Sequence, residues 1–237
     1  LDSVKFDFIR GDSSLSLMLQ PPFASHDSIT VNFSYLEDEA GLSTVDIAYT
    51  YTTPILGDYD FDSKITYNDL WDLVENWEMK NFNYELGPVS GQVPHFISIP
   101  DSKFDIEDGM AFVQIWSWYQ KEYGQIVEDT VMIGKPLNIA QLGNQLSIFI
   151  DDSIASGQIQ FSNNHIDSRL RFSTKSYDGA MYLSHQNPEK GYSILEFARP
   201  KSMAKDTIHV TADEESKLKI YYKFYGRDKK EIQRGHI

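Results

Sequence analysis

Four aspartates lie within residues 58–69 of the segment GDYDFDSKITYNDLWDLVENW, which spans residues 57–77. Asp58, Asp60 and Asp62 alternate with other residues, and Asp69 follows at the start of an apolar stretch with helical spacing. Like charges at this density repel one another unless a cation or solvent screens them. A calcium loop supplies oxygen ligands from its first, third, fifth, seventh, ninth and twelfth positions. The spacing therefore favours a calcium site over a solvated acidic turn.

A twelve-residue loop that begins at Asp58 places an oxygen at each of these positions. The predicted ligands are Asp58, Asp60, Asp62, the main-chain carbonyl of Lys64, Thr66 and Asp69. The eighth position, Ile65, is apolar, which predicts that it anchors the loop to a second loop through a short backbone pairing. Ser63 stands at the sixth position, where such loops use glycine for a positive φ. A serine in that conformation costs on the order of 1 kcal/mol.

A second copy of this motif follows 39 residues further along the chain. Residues 62–77 (DSKITYNDLWDLVENW) align with residues 101–116 (DSKFDIEDGMAFVQIW), and six of the sixteen aligned positions are identical. Six identities in the same order are hard to obtain by chance, so we infer that the module is duplicated.

The second copy keeps fewer ligands than the first. Its ligand positions hold Asp101, the main-chain carbonyl of Lys103, Asp105 and Asp108. Ile97 and Ile99 stand where the first loop has its first two carboxylates. Because fewer carboxylates lower both the ligand count and the charge, we predict a second metal site that is weak or empty.

A duplicated calcium loop, each copy followed by one helix and with Asp at the twelfth position, resembles the dockerin module. The resemblance covers residues 58–120, about a quarter of the chain. It implies Ca²⁺ as the bound ion, a secreted or cell-surface location and a protein partner, since dockerins attach enzymes to cohesins. The twelfth-position Asp and the strand-like segment VDIAYTYTTPILG before the first loop both depart from an ordinary EF-hand.

The elements that position the loops follow from hydrophobic periodicity. Apolar residues alternate with polar ones before residue 56 and after residue 125, which predicts antiparallel strands, those of the first segment with one face in solvent. Two stripes between these segments have helical spacing: Leu70, Leu73, Val74 and Trp77, and Met110, Phe112, Val113 and Trp116. The segments GKPLNIAQLGNQLSIFID and GQIQFSNNHID loosely resemble cohesin-type or carbohydrate-binding sandwiches.

We therefore predict a mainly β chain with a small α module. Residues 1–56 form a β-rich, Ig-like segment, and residues 57–125 form a dockerin-like, two-helix calcium module with an insert at 81–100. Residues 126–237 form an antiparallel β-sandwich.

Composition excludes several classes of function. The net charge of −14 makes nucleic acid an unsuitable partner, because its phosphates are negative too. No apolar run approaches the roughly 18 residues that a membrane span needs, and the absence of cysteine removes thiolate metal sites. The six histidines lack metal-ligand spacing, and the chain contains neither a G-x-S-x-G elbow nor a glycine-rich phosphate loop.

Aromatic residues near the helices raise the possibility of a carbohydrate site. Trp77 and Trp116 lie on the apolar stripes, which predicts that they belong to the core. Trp71 and Trp118 lie off the stripes, so they are the candidates for stacking on a sugar or entering a partner's groove.

These observations favour a noncatalytic function. We predict a calcium-binding adhesion or assembly module of a larger secreted or cell-surface bacterial protein. Its expected partner is a cohesin-like or other cell-surface protein, or a polysaccharide. The alternatives are a carbohydrate-binding accessory module of a polysaccharide-degrading system, and a hydrolase whose acidic residues the sequence does not single out.

Overall fold

The computed structural model describes residues 22–35, 37, 40–43, 45–125, 131–162, 169–174, 179–200, 204–213 and 218–237, together with the backbone of residues 3–9 and 14–20. Within these ranges the chain is mainly β, with antiparallel sheets and two α-helices. The predicted class, a β-rich chain with a small α component, is confirmed. Neither helix of the described ranges is long and apolar enough to cross a membrane.

Two separate hairpins precede the helices. The first pairs β1 (Ser3–Ile9) with β2 (Ser14–Gln20), and the second pairs β3 (Ser28–Phe33) with β4 (Ile47–Thr52). All four coincide with strands expected from the alternation of apolar residues. The expectation of one buried face is wrong for β3 and β4, since no residue of either strand is buried. Within the described residues no further strand pairs with this hairpin, so nothing extends it into a larger sheet.

The central part contains the two predicted helices and one unpredicted hairpin. In chain order it consists of α1 (Tyr67–Met79), a 3₁₀ turn (Phe82–Tyr84), β5 (Val89–Gln92), β6 (His95–Ser98) and α2 (Ile106–Tyr123). Each helix begins with a capping box, formed by Thr66 and Asp69 in α1 and by Asp105 and Asp108 in α2. A capping box satisfies main-chain donors that the first turn leaves open. The twelfth residue of each loop thus also starts the helix that follows it.

Strands β7 to β15 form two antiparallel sheets. Their bounds are β7 (Asn138–Leu142), β8 (Gln145–Ile150), β9 (Ser156–Ser162), β10 (Leu170–Ser173), β11 (Met181–Asn187), β12 (Tyr192–Ala198), β13 (Asp206–Ala212), β14 (Lys219–Tyr225) and β15 (Glu231–His236). One sheet has the order β10-β13-β8-β7 and the other the order β11-β12-β9-β14-β15. Inward-facing residues of both sheets share one hydrophobic core, which makes this part a sandwich.

Strand β12 explains how the helices attach to the sandwich. All seven of its residues are buried. Leu195 and Phe197 belong to the core between the sheets, whereas Ile194 and Ala198 belong to a second core that also contains the helices. Because successive side chains of a strand point to opposite faces, the five-stranded sheet is covered on both sides at this strand.

The second core corrects two expectations about the helices. Trp71 is only 3% exposed, because α1 contacts β9 and β12 as well as the 3₁₀ turn. It is therefore not available for stacking on a sugar. Met110, expected in the core, is 49% exposed, since it lies roughly 200° around the helix from the fully buried Phe112. Trp116 is buried as expected, and Trp77 is half-buried against the same core.

Candidate metal centre

The first loop brings three of the predicted carboxylates together. Asp58, Asp60 and Asp69 each offer one oxygen, and these oxygens lie within 4.8 Å of one another. Asp58 and Asp69 are buried whereas Asp60 is exposed, so the group opens to solvent on one side. Calcium binds oxygens at about 2.3–2.6 Å, so two of its ligands can be up to about 5 Å apart. The three carboxylates have a spacing that one calcium ion can bridge.

Main-chain donors fix the orientation of Asp69, which is fully buried. The N–H of Tyr59 donates to its Oδ1 and the N–H of Thr66 donates to its Oδ2, both at 2.8 Å. An ionised carboxylate has about four lone-pair sites, so two such bonds leave capacity for a metal ion. The capping contact therefore does not use up the carboxylate.

Asp58 is held in a similar way from the middle of the loop. Its Oδ1 accepts the N–H of Asp62 at 3.2 Å, and its Oδ2 accepts the N–H of Ser63 at 3.0 Å. These bonds require the chain to turn sharply, and Ser63 has the positive φ, 65°, expected for the sixth position of a calcium loop. The contacts formed by the turn offset the cost of this conformation in a residue other than glycine.

Burial dominates the electrostatics of the group. It raises the pKa of Asp69 to about 7, although the N–H donors of Thr66 and Tyr59 act in the opposite direction. Burial also raises the pKa of Asp58 and of Asp60, and repulsion from Asp62 adds to both. A nearby positive charge favours the ionised form of a carboxyl group. A divalent cation would thus reverse these shifts and relieve the repulsion.

The other predicted ligands of the first loop lie outside this group of three. Asp62 is exposed, and its Oδ1 accepts the N–H of Lys64 at 2.8 Å. Thr66 is the N-cap of α1, and its hydroxyl oxygen accepts the N–H of Asn68 at 3.2 Å. Coordination by Asp62, the Lys64 carbonyl or Thr66 therefore stays a prediction.

In the second copy of the loop, Glu85 takes the place that Asp58 has in the first. Its carboxylate accepts the N–H of Ser102 at 3.0 Å and also that of Asp101. These two residues are the repeat counterparts of the two whose N–H groups donate to Asp58. Ser102 also has a positive φ, 63°. Each loop thus contains the same kind of turn, and in each loop a carboxylate accepts the main-chain N–H groups of that turn.

Asp108, the last residue of the second loop, is hydrogen-bonded in the same way as Asp69 in the first loop. Its Oδ1 accepts the N–H groups of Leu86 and Gly87 at 2.8 Å, and its Oδ2 accepts the N–H of Asp105 at 2.8 Å. By hydrogen bonding, residues 85–87 are the first three positions of the second loop, and the hairpin β5–β6 is inserted after them. The spacing argument missed Glu85 because it counted back from Asp101 through this hairpin. ELG (85–87) and DYD (58–60) share only an acidic first residue, so the sequence alone gives little signal for Glu85.

The second loop has no carboxylate at its third position. Gly87 stands there, and a Cβ atom on it would lie 2.7 Å from the carbonyl carbon of Glu107, so a longer residue has no room. Asp101 pairs with the ammonium of Lys103, which holds the pKa of Asp101 below its usual range. Asp105 caps α2 and accepts the N–H of Glu107 at 2.9 Å. Within the described residues the acids of the second loop do not come together in a group of three, as those of the first loop do.

The expected pairing between the two loops is not formed. Ile65 and Phe104, the eighth residues, are both buried in the second core. No isolated bridge or main-chain hydrogen bond joins them, although both lie in the described part of the chain. The loops are coupled through side-chain packing instead.

No protein-family model matches the chain, no curated protein is significantly similar to it, and no solved structure significantly resembles its fold.

Proposed function

We propose that this chain is a calcium-stabilised, noncatalytic adhesion or assembly module of a larger extracellular protein. The observation that carries the proposal is the convergence of Asp58, Asp60 and Asp69 in a loop whose backbone follows a calcium-loop pattern. Both the positive φ at the sixth position and the Asp at the twelfth support a dockerin-like origin of the module. We infer one calcium ion per chain, held in the first loop.

The position of the loop supports a structural role for the ion. Helix α1 starts at the loop and packs on β9 and β12 of the sandwich. At the start of this helix the hydroxyl groups of Tyr67 and Tyr225 are hydrogen-bonded at 2.7 Å, and the two rings stack. Lys229 of the β14–β15 turn pairs with Asp72 of α1. An ion that orders the first loop would therefore stabilise the joint between the helices and the sandwich.

This arrangement also limits how a partner protein can bind. The helix faces that carry Leu70, Leu73, Phe112 and Trp116 are buried inside the chain. A cohesin-like or other cell-surface protein would therefore contact the exposed loops and hairpins. Calcium near millimolar concentration, typical outside cells, fills sites with a Kd of about 10⁻⁴–10⁻³ M, which suits a permanent structural ion.

Calorimetric titration of chelator-treated protein with calcium chloride tests the proposal. We expect one site per chain, and a rise in the melting temperature when calcium is added. At a hundredfold excess over Kd the ion adds about 2.7 kcal/mol to the free energy of unfolding. Asp60→Ala, which removes the ligand oxygen, should abolish or strongly weaken both effects without disturbing the apo fold, because Asp60 is exposed and packs in neither core.

Asp101→Ala is the matched control, since it removes an acidic side chain of the second loop. It should leave the stoichiometry and the calcium-dependent change in melting temperature as they are in the unmodified chain. A chain that takes up no calcium at millimolar concentration, or whose affinity for calcium is unchanged by Asp60→Ala, contradicts the proposed centre.

A further inference from the structure

An open cleft of about 520 Å³ lies next to the first loop. Three parts of the chain form its walls: the end of β4 with the residues after it, the calcium-type loop itself, and the last turns of α2. Its volume is within the range of roughly 300–1,000 Å³ that is usual for small-molecule sites. Among its lining residues, Ile55 belongs to the core that contains the helices and Tyr119 packs against that core. The proposed calcium centre shares only Asp58 with the cleft.

Aromatic rings dominate the lining, and they are unusually exposed. Tyr51, Phe61 and Tyr123 line the cleft and are 60%, 75% and 51% exposed, respectively. Phe61 adopts a φ of 56°, a conformation that is rare for a bulky residue and costs about 1–3 kcal/mol. Exposure and strain at the same side chain favour a role in binding over a role in packing.

The side chains on the α2 wall are held by contacts with neighbouring aromatic rings. Tyr119 and Tyr123 are one turn apart, with ring centroids 5.1 Å from each other. Trp118 packs edge-on against Tyr123 at 5.6 Å, and the ring of His26 lies 5.2 Å from Trp118. Trp118 thus supports the cleft rather than lining it. This packing holds the tyrosine rings in place before a ligand arrives, which lowers the entropic cost of binding.

The opposite wall is also fixed to the rest of the chain. The hydroxyl of Thr53 donates to the carbonyl of Ala24 at 2.7 Å and accepts the N–H of Asp27 at 2.7 Å. The N–H of Leu56 donates to Oγ of Ser25 at 2.8 Å. The segment that follows β4 is therefore tied down along its length, although β3 and β4 themselves are exposed.

The charges around the cleft determine the class of ligand. Among the described residues no lysine or arginine lines the cleft, so no cationic side chain is there to bind phosphates, sulfates or uronic acids. Tyrosine and threonine hydroxyls and the ring of His26 provide hydrogen-bonding groups at its edge. A pyranose ring matches this pattern, because its C–H faces are apolar while its hydroxyls project from its rim.

We propose that this cleft binds a neutral glycan, with a sugar ring placed between the Phe61 and Tyr51 side and the Tyr119 and Tyr123 side. The cleft adjoins the candidate metal centre and shares Asp58 with it. The proposal rests on the aromatic side chains of the walls, none of which is a predicted calcium ligand, so it can hold whether or not the first loop binds calcium.

The test is calorimetric titration of the whole chain at a fixed calcium concentration. The probes are soluble hexasaccharides of β-1,4-glucose, β-1,3-glucose, β-1,4-xylose, β-1,4-mannose and β-1,4-N-acetylglucosamine. Polygalacturonate and tetramethylammonium chloride serve as an anionic and a cationic probe. We expect at least one neutral hexasaccharide to bind with one site per chain. Phe61→Ala and Tyr123→Ala should each raise its Kd by about tenfold, the upper end of what one aromatic contact contributes.

Phe149→Ala and Tyr35→Ala are the matched controls, because both change exposed aromatic residues away from the cleft; both should leave the Kd unchanged. The tryptophan fluorescence of the unmodified chain should change only with the bound neutral probe, because Trp118 packs against Tyr123 of the cleft wall. The proposal is overturned if no neutral probe binds at millimolar concentration, or if only the anionic or the cationic probe binds. It is equally overturned if binding persists in the Phe61→Ala/Tyr123→Ala double variant.

Discussion

Glu196 is a fully buried carboxyl group at the joint between the helices and the sandwich. Its oxygens accept hydrogen bonds from Nε1 of Trp116 at 2.8 Å and from Nε2 of Gln158 at 2.7 Å, with Nε2 of Gln120 further away at 3.4 Å. Burial raises the pKa of this carboxyl group to about 7, although the donors oppose that change. Ionisation of Glu196 therefore lowers the free energy of unfolding, and the size of this effect depends on pH.

The sign and size of the effect follow from linkage. The usual pKa is 4.5 and the folded-state pKa is about 7, so between these values the folded chain holds a proton that the unfolded chain has lost. The free energy of unfolding therefore decreases as pH rises through this window and levels off above it. Each pKa unit corresponds to about 1.4 kcal/mol, which gives a total of about 3 kcal/mol.

Glu196→Gln removes this titration while keeping the shape of the side chain. Urea unfolding at several pH values between 4.5 and 8.5, in a chelating buffer, should show the variant gaining about 3 kcal/mol relative to the unmodified chain as pH rises. The difference in hydrogen bonding between the neutral acid and the amide adds an offset that does not vary with pH, and other titrating groups, including Asp69, cancel in the difference. Glu122→Gln, at an exposed position of α2, should give a flat difference. A flat difference for Glu196→Gln too would refute the reasoning.

Three further perturbations test the packing and the loops. Phe112→Ala, at a position with no exposure, should lower the free energy of unfolding in urea by about 3–5 kcal/mol. Phe149→Ala, at a position that is 40% exposed, should lower it by less than about 1 kcal/mol. Glu85→Gln weakens a charged contact to the second loop and should lower the free energy of unfolding by about 1–2 kcal/mol. Calorimetry should still show one calcium ion bound to this variant. Loss of that ion would contradict the assignment of the two loops. Tyr67→Phe removes the hydrogen bond to Tyr225 and should lower the free energy of unfolding by about 1 kcal/mol, a cost that should vanish in Tyr67→Phe/Tyr225→Phe.

The sequence predicted the elements well where a periodic pattern was long. The two apolar stripes fall on the two helices, and the alternating segments after residue 125 fall on the strands of the sandwich within the described ranges, because a buried face imposes its period on every residue of an element. The sequence predicts β15 only as the second arm of a hairpin that turns at GRDK (226–229), since EIQRGH shows little alternation. The alternation also predicts a strand at DTVMI (129–133), and the first two residues of that segment lie outside the described residues.

Other features depended on contacts that spacing cannot show. The burial of Trp71 results from α1 packing on the sandwich, and the register of the second loop results from an inserted hairpin. Glu85 lies 16 residues before Asp101 in sequence, yet it binds that residue's N–H. A search that assigns ligands by their positions in an uninterrupted twelve-residue loop cannot identify such a residue. Phe61 was likewise invisible, because nothing in DYDFD indicates that its ring faces solvent.

The inserted hairpin accounts for the difference between the two loops. It takes Gly87 into contact with the start of α2, which removes the space that Asp60 has in the first loop. In exchange, the hairpin connects the N-terminal segment to the helices: the N–H of Ser25 donates to the carbonyl of Phe96 at 2.8 Å, and His95 contacts Asp27 at 2.8 Å. Main-chain and side-chain contacts thus stabilise the second loop, whereas within the described residues only the first loop has three carboxylates close enough to share a cation. For the duplicated calcium module that we propose, we therefore expect an ion on one side alone.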